Sequence, residues 1–177
     1  MQLGGRRCQG LIWITGLSGS GKSTLSIALR DKFHSEGIYP IVLDGDDLRA
    51  CLNATDRYSF QERLELARTY SRLASMLVQQ SHLVIVATMS LFHDVHSMNR
   101  LSPHPYFEVF LDLPISTLRQ RDIKGLYGNN KTEAKKNVGG LDLDYETPLH
   151  PHLHVTDPAV DSASLAARIF GQFLDHV

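Results

Sequence analysis

GLSGSGKS, at residues 16–23, limits this chain more than any other stretch, because few backbones can carry it. It fits the pattern G-x-x-x-x-G-K-[ST], and Thr24 follows directly. The apolar run LIWIT at residues 11–15 leads into it, and residues 22–33 set Leu25, Ala28, Leu29 and Phe33 at helical spacing. Strand, glycine-rich turn and helix together make a phosphate cradle. Gly16, Gly19 and Gly21, interleaved with Ser18 and Ser20, let successive backbone N–H groups turn inward, and the helix N-terminus adds positive potential. Lys22 is expected to reach the terminal phosphates, and the Ser23 hydroxyl to ligate magnesium. The residues therefore predict a nucleoside triphosphate site.

Short apolar runs alternate with helical patterns along the rest of the chain. Strands are expected at residues 11–15, 39–43, 83–87, 107–111 and 153–155, and helices at 22–33, 60–80 and 95–100. The long helix carries a stripe of Phe60, Leu64, Ala67, Ser71, Ala74 and Leu77 or Val78. Pro114 opens another helix running to about residue 122, and Ser162 caps the last one. Residues 124–140, rich in Gly, Asn and Lys without an apolar period, read as a mobile flap. The pattern predicts an α/β protein with a mostly parallel sheet flanked by helices, one domain over residues 1–177 with a small mobile lid at about 119–140.

A net charge of -1 and a pI of about 6.7 argue against a nucleic-acid binder. No apolar run approaches the roughly 18 residues of a membrane span. Cys8 and Cys51 lack metal-site or redox spacing, which suits reduced thiols in the cytoplasm.

VLDGDDLRA, at residues 42–50, crowds Asp44, Asp46 and Asp47 at a strand end. Carboxylates repel one another unless a cation or donor needs them. The strand at 83–87 ends in Thr88, Met89 and Ser90 and offers no acid for the metal, so Asp44 and Asp46 are the candidates. One can organise the magnesium shell while the other accepts a proton from an attacking hydroxyl. The sequence leaves their roles open. Asp47 suits the N-terminus of a following short helix.

GLSGSGKSTL, LDGDDLR, RDIKGLY and DYETP, in this order and spacing, resemble the adenylylsulfate (APS) kinase family over roughly residues 11–155. The resemblance implies a P-loop kinase fold with a lid, often dimeric. It also implies transfer of the γ-phosphoryl of ATP, with Mg2+, to the ribose 3′-hydroxyl of adenylyl sulfate. Carried over by position, Asp44 and Asp46 match the family's DGD pair, and Asp44 is the first choice for base or metal-linked acid. Arg49 and Arg63 match anchors for the substrate's anionic bridge, which suits guanidinium geometry. Tyr58 stands where a Phe stacks on the substrate base. Lys124 and Leu126, in KGLY, fall on the substrate side, while Arg119 and Arg121 flank the lid hinge and could reach ATP. Ser90 matches an acceptor-side serine, and in-line transfer does not require its phosphorylation.

Departures from the family concentrate on the acceptor side. Leu66 replaces an Asn of the substrate pocket, Thr69 replaces an Arg, and Val138 stands where a Phe would close over adenine. Losing a stacking partner costs about 1–3 kcal/mol of base binding. A branch of these kinases with ATMSLF-like and NVxG-like stretches is implicated in phosphorylating cytidine diphosphoramidate, a second candidate acceptor. A third possibility is a non-catalytic nucleotide-binding module, although Lys22, Asp44 and Asp46 are all retained. A GTPase is disfavoured, since no base-reading N/T-K-x-D stretch follows. His150, His152 and His154 alternate and could bind zinc if extended, but a polar strand end is the plainer expectation. His93 and His96 lie close enough to Ser90 to approach substrate.

Overall fold

Alternating apolar runs and helical stripes become a five-stranded parallel sheet covered on both faces in the computed structural model, which describes residues 8–56, 58–121 and 145–177. β1 (Gly10–Gly16) leads through the glycine-rich turn to α1 (Lys22–Ser35), and β2 (Ile41–Asp44) runs straight into α2 (Gly45–Cys51). α3 (Phe60–Gln79), β3 (Leu83–Ala87), α4 (His93–Arg100), β4 (Tyr106–Leu111) and α5 (Ile115–Gln120) follow, then β5 (Leu153–Val155) and α6 (Ser162–His176). The sheet order is β2-β3-β1-β4-β5, and every pairing is parallel.

Strand alternation decides which side chains meet which layer. Ile12, Ile14, Ile85 and Val109 face α1 and α6, where Phe33, Ile169 and Phe173 are fully buried. Leu11, Trp13, Val84 and Val86 face α3 and α4 and pack with Leu66, Ala67, Tyr70 and Ala74. Strands buried on both faces have to be apolar throughout, which is why LIWIT and LVIVA were legible. A third cluster of Leu17, Leu91, Phe110, Leu113 and Leu118 supports the glycine-rich turn from below. Parallel pairing brings Gly16, Asp44, Ala87 and Leu111 to the same sheet edge, where open α/β sheets bind ligands.

The structure corrects several local expectations. Asp161 rather than Ser162 caps α6, its carboxylate accepting from the Ala163 and Ser164 amides. Asp44 caps α2, accepting from the Asp46 N–H, a role the sequence did not assign it, whereas Asp47 stands in the first turn as expected. On α3 Ala67, Ser71, Ala74 and Val78 are buried as expected, but the buried face also includes Leu66 and Tyr70, and Phe60 is exposed. β2 begins at Ile41, because Pro40 has no amide to donate to a ladder. Most of the lid expected at 119–140, including Lys124, Leu126 and Val138, lies outside the described residues.

A capping box opens α3. Ser59 Oγ accepts from the Glu62 N–H, and the Glu62 carboxylate takes both the Ser59 N–H and the Ser59 hydroxyl. Ser59→Ala should cost about 0.5–2 kcal/mol in thermal unfolding. It should also raise the hydrogen-exchange rate of the first-turn amides, and unchanged exchange there would contradict a capping role.

Candidate active site

Two glycines show why the turn is built as it is. Gly16 has φ +153, and a Cβ there would come within 2.5 Å of the Leu111 carbonyl oxygen. Gly21 has φ +95 at the N-cap of α1, a left-handed backbone that an L side chain rarely adopts. The Gly19 turn lies beside the end of α5: a Cβ on Gly19 would sit 3.7 Å from the Leu118 carbonyl oxygen. Ser20 is buried, its hydroxyl without a partner among the described residues, Ser18 is half-buried, and Ser23 and Thr24 are exposed on the first turn of α1. Lys22 Nζ donates to the Leu17 carbonyl at 2.8 Å, so the ammonium lies folded back over the turn.

The acid pair joins this loop directly. Ser23 Oγ donates to Asp44 Oδ2 at 2.6 Å, while Asp44 Oδ1 accepts from the Asp46 N–H at 2.9 Å. A hydroxyl and a carboxylate oxygen this close are the hard donors magnesium favours, so the residues fit that cation. Asp46 is exposed in the first turn of α2. Gly45 lets α2 begin hard against β3, since a Cβ there would stand 3.0 Å from Thr88 Oγ1.

Beyond the acids, three residues expected on the acceptor side come together. The Arg49 and Arg63 guanidiniums each lie 5.7 Å from the Tyr58 ring centroid, and Arg63 Nε donates to the Tyr58 carbonyl at 2.9 Å. Arg63 Nη1 also reaches Met89 Sδ at 3.8 Å, while Arg49 Nη1 donates to the Ala54 carbonyl. Two cations against one aromatic ring favour an anion carried on a flat base. Leu66 is only 5% exposed and belongs to the apolar layer over the sheet, so this side chain adds packing rather than a polar contact.

The loop after β3 is held at three consecutive carbonyls. Thr15 Oγ1 donates to the Met89 oxygen at 2.8 Å, His96 Nε2 lies 3.0 Å from the Ser90 oxygen, and the Glu146 N–H donates to the Leu91 oxygen at 3.1 Å. The Ser90 hydroxyl is buried 3.0 Å from Thr88 Oγ1. Glu146, of the DYETP stretch, accepts from the His93 N–H at the head of α4, and the His93 ring meets the Thr147 carbonyl. His96 is buried and His93 partly exposed, and each ties the loop to its surroundings.

Arg119 is exposed at the end of α5, near the Gly19 turn, while Arg121 turns away to donate to the Pro158 carbonyl. The three alternating histidines serve the sheet edge. His152 Nδ1 accepts from the Glu108 N–H, and burial holds this imidazole down at a pKa of about 4. His154 pairs with Asp112 and stacks on Phe110, and the His150 carbonyl accepts from Arg100. No group of three or more candidate metal ligands occurs among the described residues.

Sequence reasoning missed Glu108, which lies fully buried in β4. The acid inside YFEVF was its only signal.

Residues 9–156 match the family described as adenylylsulphate kinase. An adenylyl-sulfate kinase of Pseudomonas aeruginosa is 36% identical over 172 residues, covering 96% of this chain and 87% of that protein. A bifunctional enzyme CysN/CysC of Mycobacterium tuberculosis is 37% identical over 155 residues, but the chain spans only 25% of its length. The solved Mycobacterium tuberculosis APS kinase CysC, in complex with AMPPNP and APS, superposes with a TM-score of 0.85 at 34% identity. That superposition covers 94% of this chain and 98% of that one.

Proposed function

The chain belongs to the adenylylsulphate kinase family, and from that premise we propose that it moves the γ-phosphoryl of ATP onto the ribose 3′-hydroxyl of adenylyl sulfate, giving 3′-phosphoadenylyl sulfate and ADP. One observation carries most of the weight: the 2.6 Å bond from Ser23 to Asp44, which couples the phosphate loop to the acid pair. The backbone amides of residues 16–21 cradle the β-phosphate, and Lys22 swings off the Leu17 carbonyl to meet the terminal phosphates. Ser23 and Asp44 would hold the magnesium ion, which neutralises charge on the phosphates when bound.

Asp46 then acts as the base. Its carboxylate accepts the proton of the acceptor hydroxyl as the oxygen–phosphorus bond forms, and the bond to the β-phosphate oxygen breaks to release ADP. Arg49 and Arg63 neutralise the acceptor's phosphate–sulfate bridge, and Tyr58 lies alongside its base. Lys124, Leu126 and Val138 complete the acceptor side on sequence grounds, and Arg119 completes the ATP side. We place this activity in one domain, acting in the cytoplasm as a homodimer. Among the described residues no helix is long and apolar enough to cross a membrane.

Acceptor-dependent ADP release tests the proposal, with Mg-ATP plus adenylyl sulfate, cytidine diphosphoramidate or no acceptor. Robust turnover with adenylyl sulfate is expected. Turnover with the cytidine compound alone would reassign the acceptor. ATP hydrolysis indifferent to either would remove the kinase reading altogether.

A further inference from the structure

Behind the three-carbonyl loop lies a buried polar chain that the phosphoryl-transfer chemistry does not use. Glu108 is 0% exposed in the middle of β4. Its Oε2 accepts from Arg100 Nη2 at 2.7 Å and from the Tyr106 hydroxyl at 3.1 Å. Its Oε1 faces His96 Nδ1 at 3.3 Å, and neither of these two atoms has another partner among the described residues. The opposite ring nitrogen, Nε2, meets the Ser90 carbonyl at 3.0 Å.

We propose that His96 is a positioning residue for the acceptor side, kept in its Nε2–H form by a hydrogen shared with Glu108 so that it pins the Ser90 carbonyl. The reasoning is a count of hydrogens. The line from the Ser90 oxygen through the imidazole to Glu108 Oε1 contains two contacts, and two hydrogens satisfy both. With one hydrogen, the neutral ring must choose. A bare carboxylate draws that hydrogen to Nδ1, and Nε2 then turns a lone pair on the Ser90 carbonyl. Loss of the shared proton therefore releases the pin.

Burial acts on both partners in the direction this requires. It lowers the His96 pKa to about 4, so the ring stays neutral, and raises that of Glu108, so the carboxyl keeps its proton to higher pH. Other groups also face the pair. His93 and Arg100 oppose charge on His96, and Glu146 favours it. Arg100, the Tyr106 hydroxyl and His150 favour the Glu108 carboxylate. A raised carboxyl pKa makes the pin complete below the ordinary value of 4.5 and lost as pH rises through the folded-state value.

Of the three donors to this loop, His96 is the one with a titratable ring. The loop it fixes presents Met89 to Arg63 and Ser90 to Thr88, so slack in it is felt by the acceptor before ATP. The kinetic half of the proposal rests on the kinase reading, whereas the tautomer half does not.

Both halves can be measured on the whole protein. Histidine 15N NMR of the resting enzyme, without substrates, should show His96 as the Nε2–H tautomer and passing to Nδ1–H as pH rises, with His96→Gln assigning the signal. In Glu108→Gln the amide N–H donates to Nδ1 permanently, so the Nε2–H form should persist at every pH above the ring's own titration. In the kinase assay His96→Ala should raise the acceptor KM about two- to tenfold, the worth of one neutral hydrogen bond, with the ATP KM unchanged. His96→Gln, whose amide can reach the Ser90 oxygen, should restore it, and Glu108→Gln should flatten the alkaline rise in acceptor KM. An Nδ1–H resting tautomer, or one indifferent to Glu108→Gln, overturns the shared hydrogen. Equal losses in His96→Ala and His96→Gln overturn the pin. Absence of any turnover in the wild type would fault the kinase reading and leave the NMR result to decide the tautomer.

Discussion

Asp44→Asn should lower kcat by about 10²–10⁴-fold while leaving the melting temperature nearly where it was. The two effects separate because Asp44 has two tasks. One oxygen caps α2 through the Asp46 N–H, and Asn caps a helix about as well as Asp does, so the fold has little to lose. The other oxygen receives the Ser23 hydroxyl at 2.6 Å and supplies the negative charge a bound divalent cation needs. An amide keeps the shape and loses the charge. The magnesium concentration for half-maximal rate should therefore rise in Asp44→Asn. On the proposed mechanism Asp46→Asn removes the base instead, and should cut kcat with the magnesium requirement unchanged. If both variants shift the magnesium requirement alike, the division of labour between the two acids is wrong. If Asp44→Asn keeps its rate, the site is not built around this carboxylate.

Which parts of this site could be read in the sequence follows from how local their causes are. The phosphate loop is one continuous stretch whose glycines, lysine and serine act where they stand, so its pattern and its flanks sufficed. The parallel strands were legible because burial on both faces leaves little room for polar residues. The same expectation concealed Glu108. An acid within YFEVF reads as a side chain turned to solvent, yet β4 is an interior strand between β1 and β5, and His96 and Arg100 of α4 lie over Glu108. Only the fold shows Arg100, Tyr106 and His96 converging on it.

Asp44 was legible as part of a pair but not as the cap, because the exact start of α2 decides which residue caps it, while Asp47 needed only to fall in the first turn for its charge to act there. The stripe on α3 was legible from Ala67 through Ser71 and Ala74 to Val78, all of them buried, but its width was not: Leu66 and Tyr70 are buried beside it against Trp13 and Leu48, and Phe60 at the first position stays exposed. The acceptor cluster is tertiary altogether. Arg49 and Tyr58 lie nine residues apart on different segments, and their proximity was implied by family likeness alone.

Gly16→Ala should be far more damaging to stability than Gly21→Ala, although both replace glycines of one loop. Each substitution forces an alanine into a positive-φ backbone, at about 1–3 kcal/mol. At Gly21 that strain is the whole cost, because the new Cβ meets nothing within 4 Å. At Gly16 the Cβ would also approach the Leu111 carbonyl oxygen to 2.5 Å and Ser20 Oγ to 2.8 Å. Leu111 is the sheet partner of Gly16, so its carbonyl cannot step aside without loosening the β1–β4 ladder. Overpacking of this kind adds about 1–3 kcal/mol. In a domain of this size each kcal/mol moves the melting temperature by about 2–4 °C, so Gly16→Ala should melt roughly 10 °C below the wild type. Gly21→Ala should melt only a few degrees lower, yet lose more ATP affinity than its stability would suggest, because φ +95 at the helix start aims the amides that meet the phosphates. Thermal melts and ATP titrations of the two variants decide the matter. Equal melting temperatures would show that β4 yields at Leu111, and that the close approach at Gly16 does not hold the loop in place.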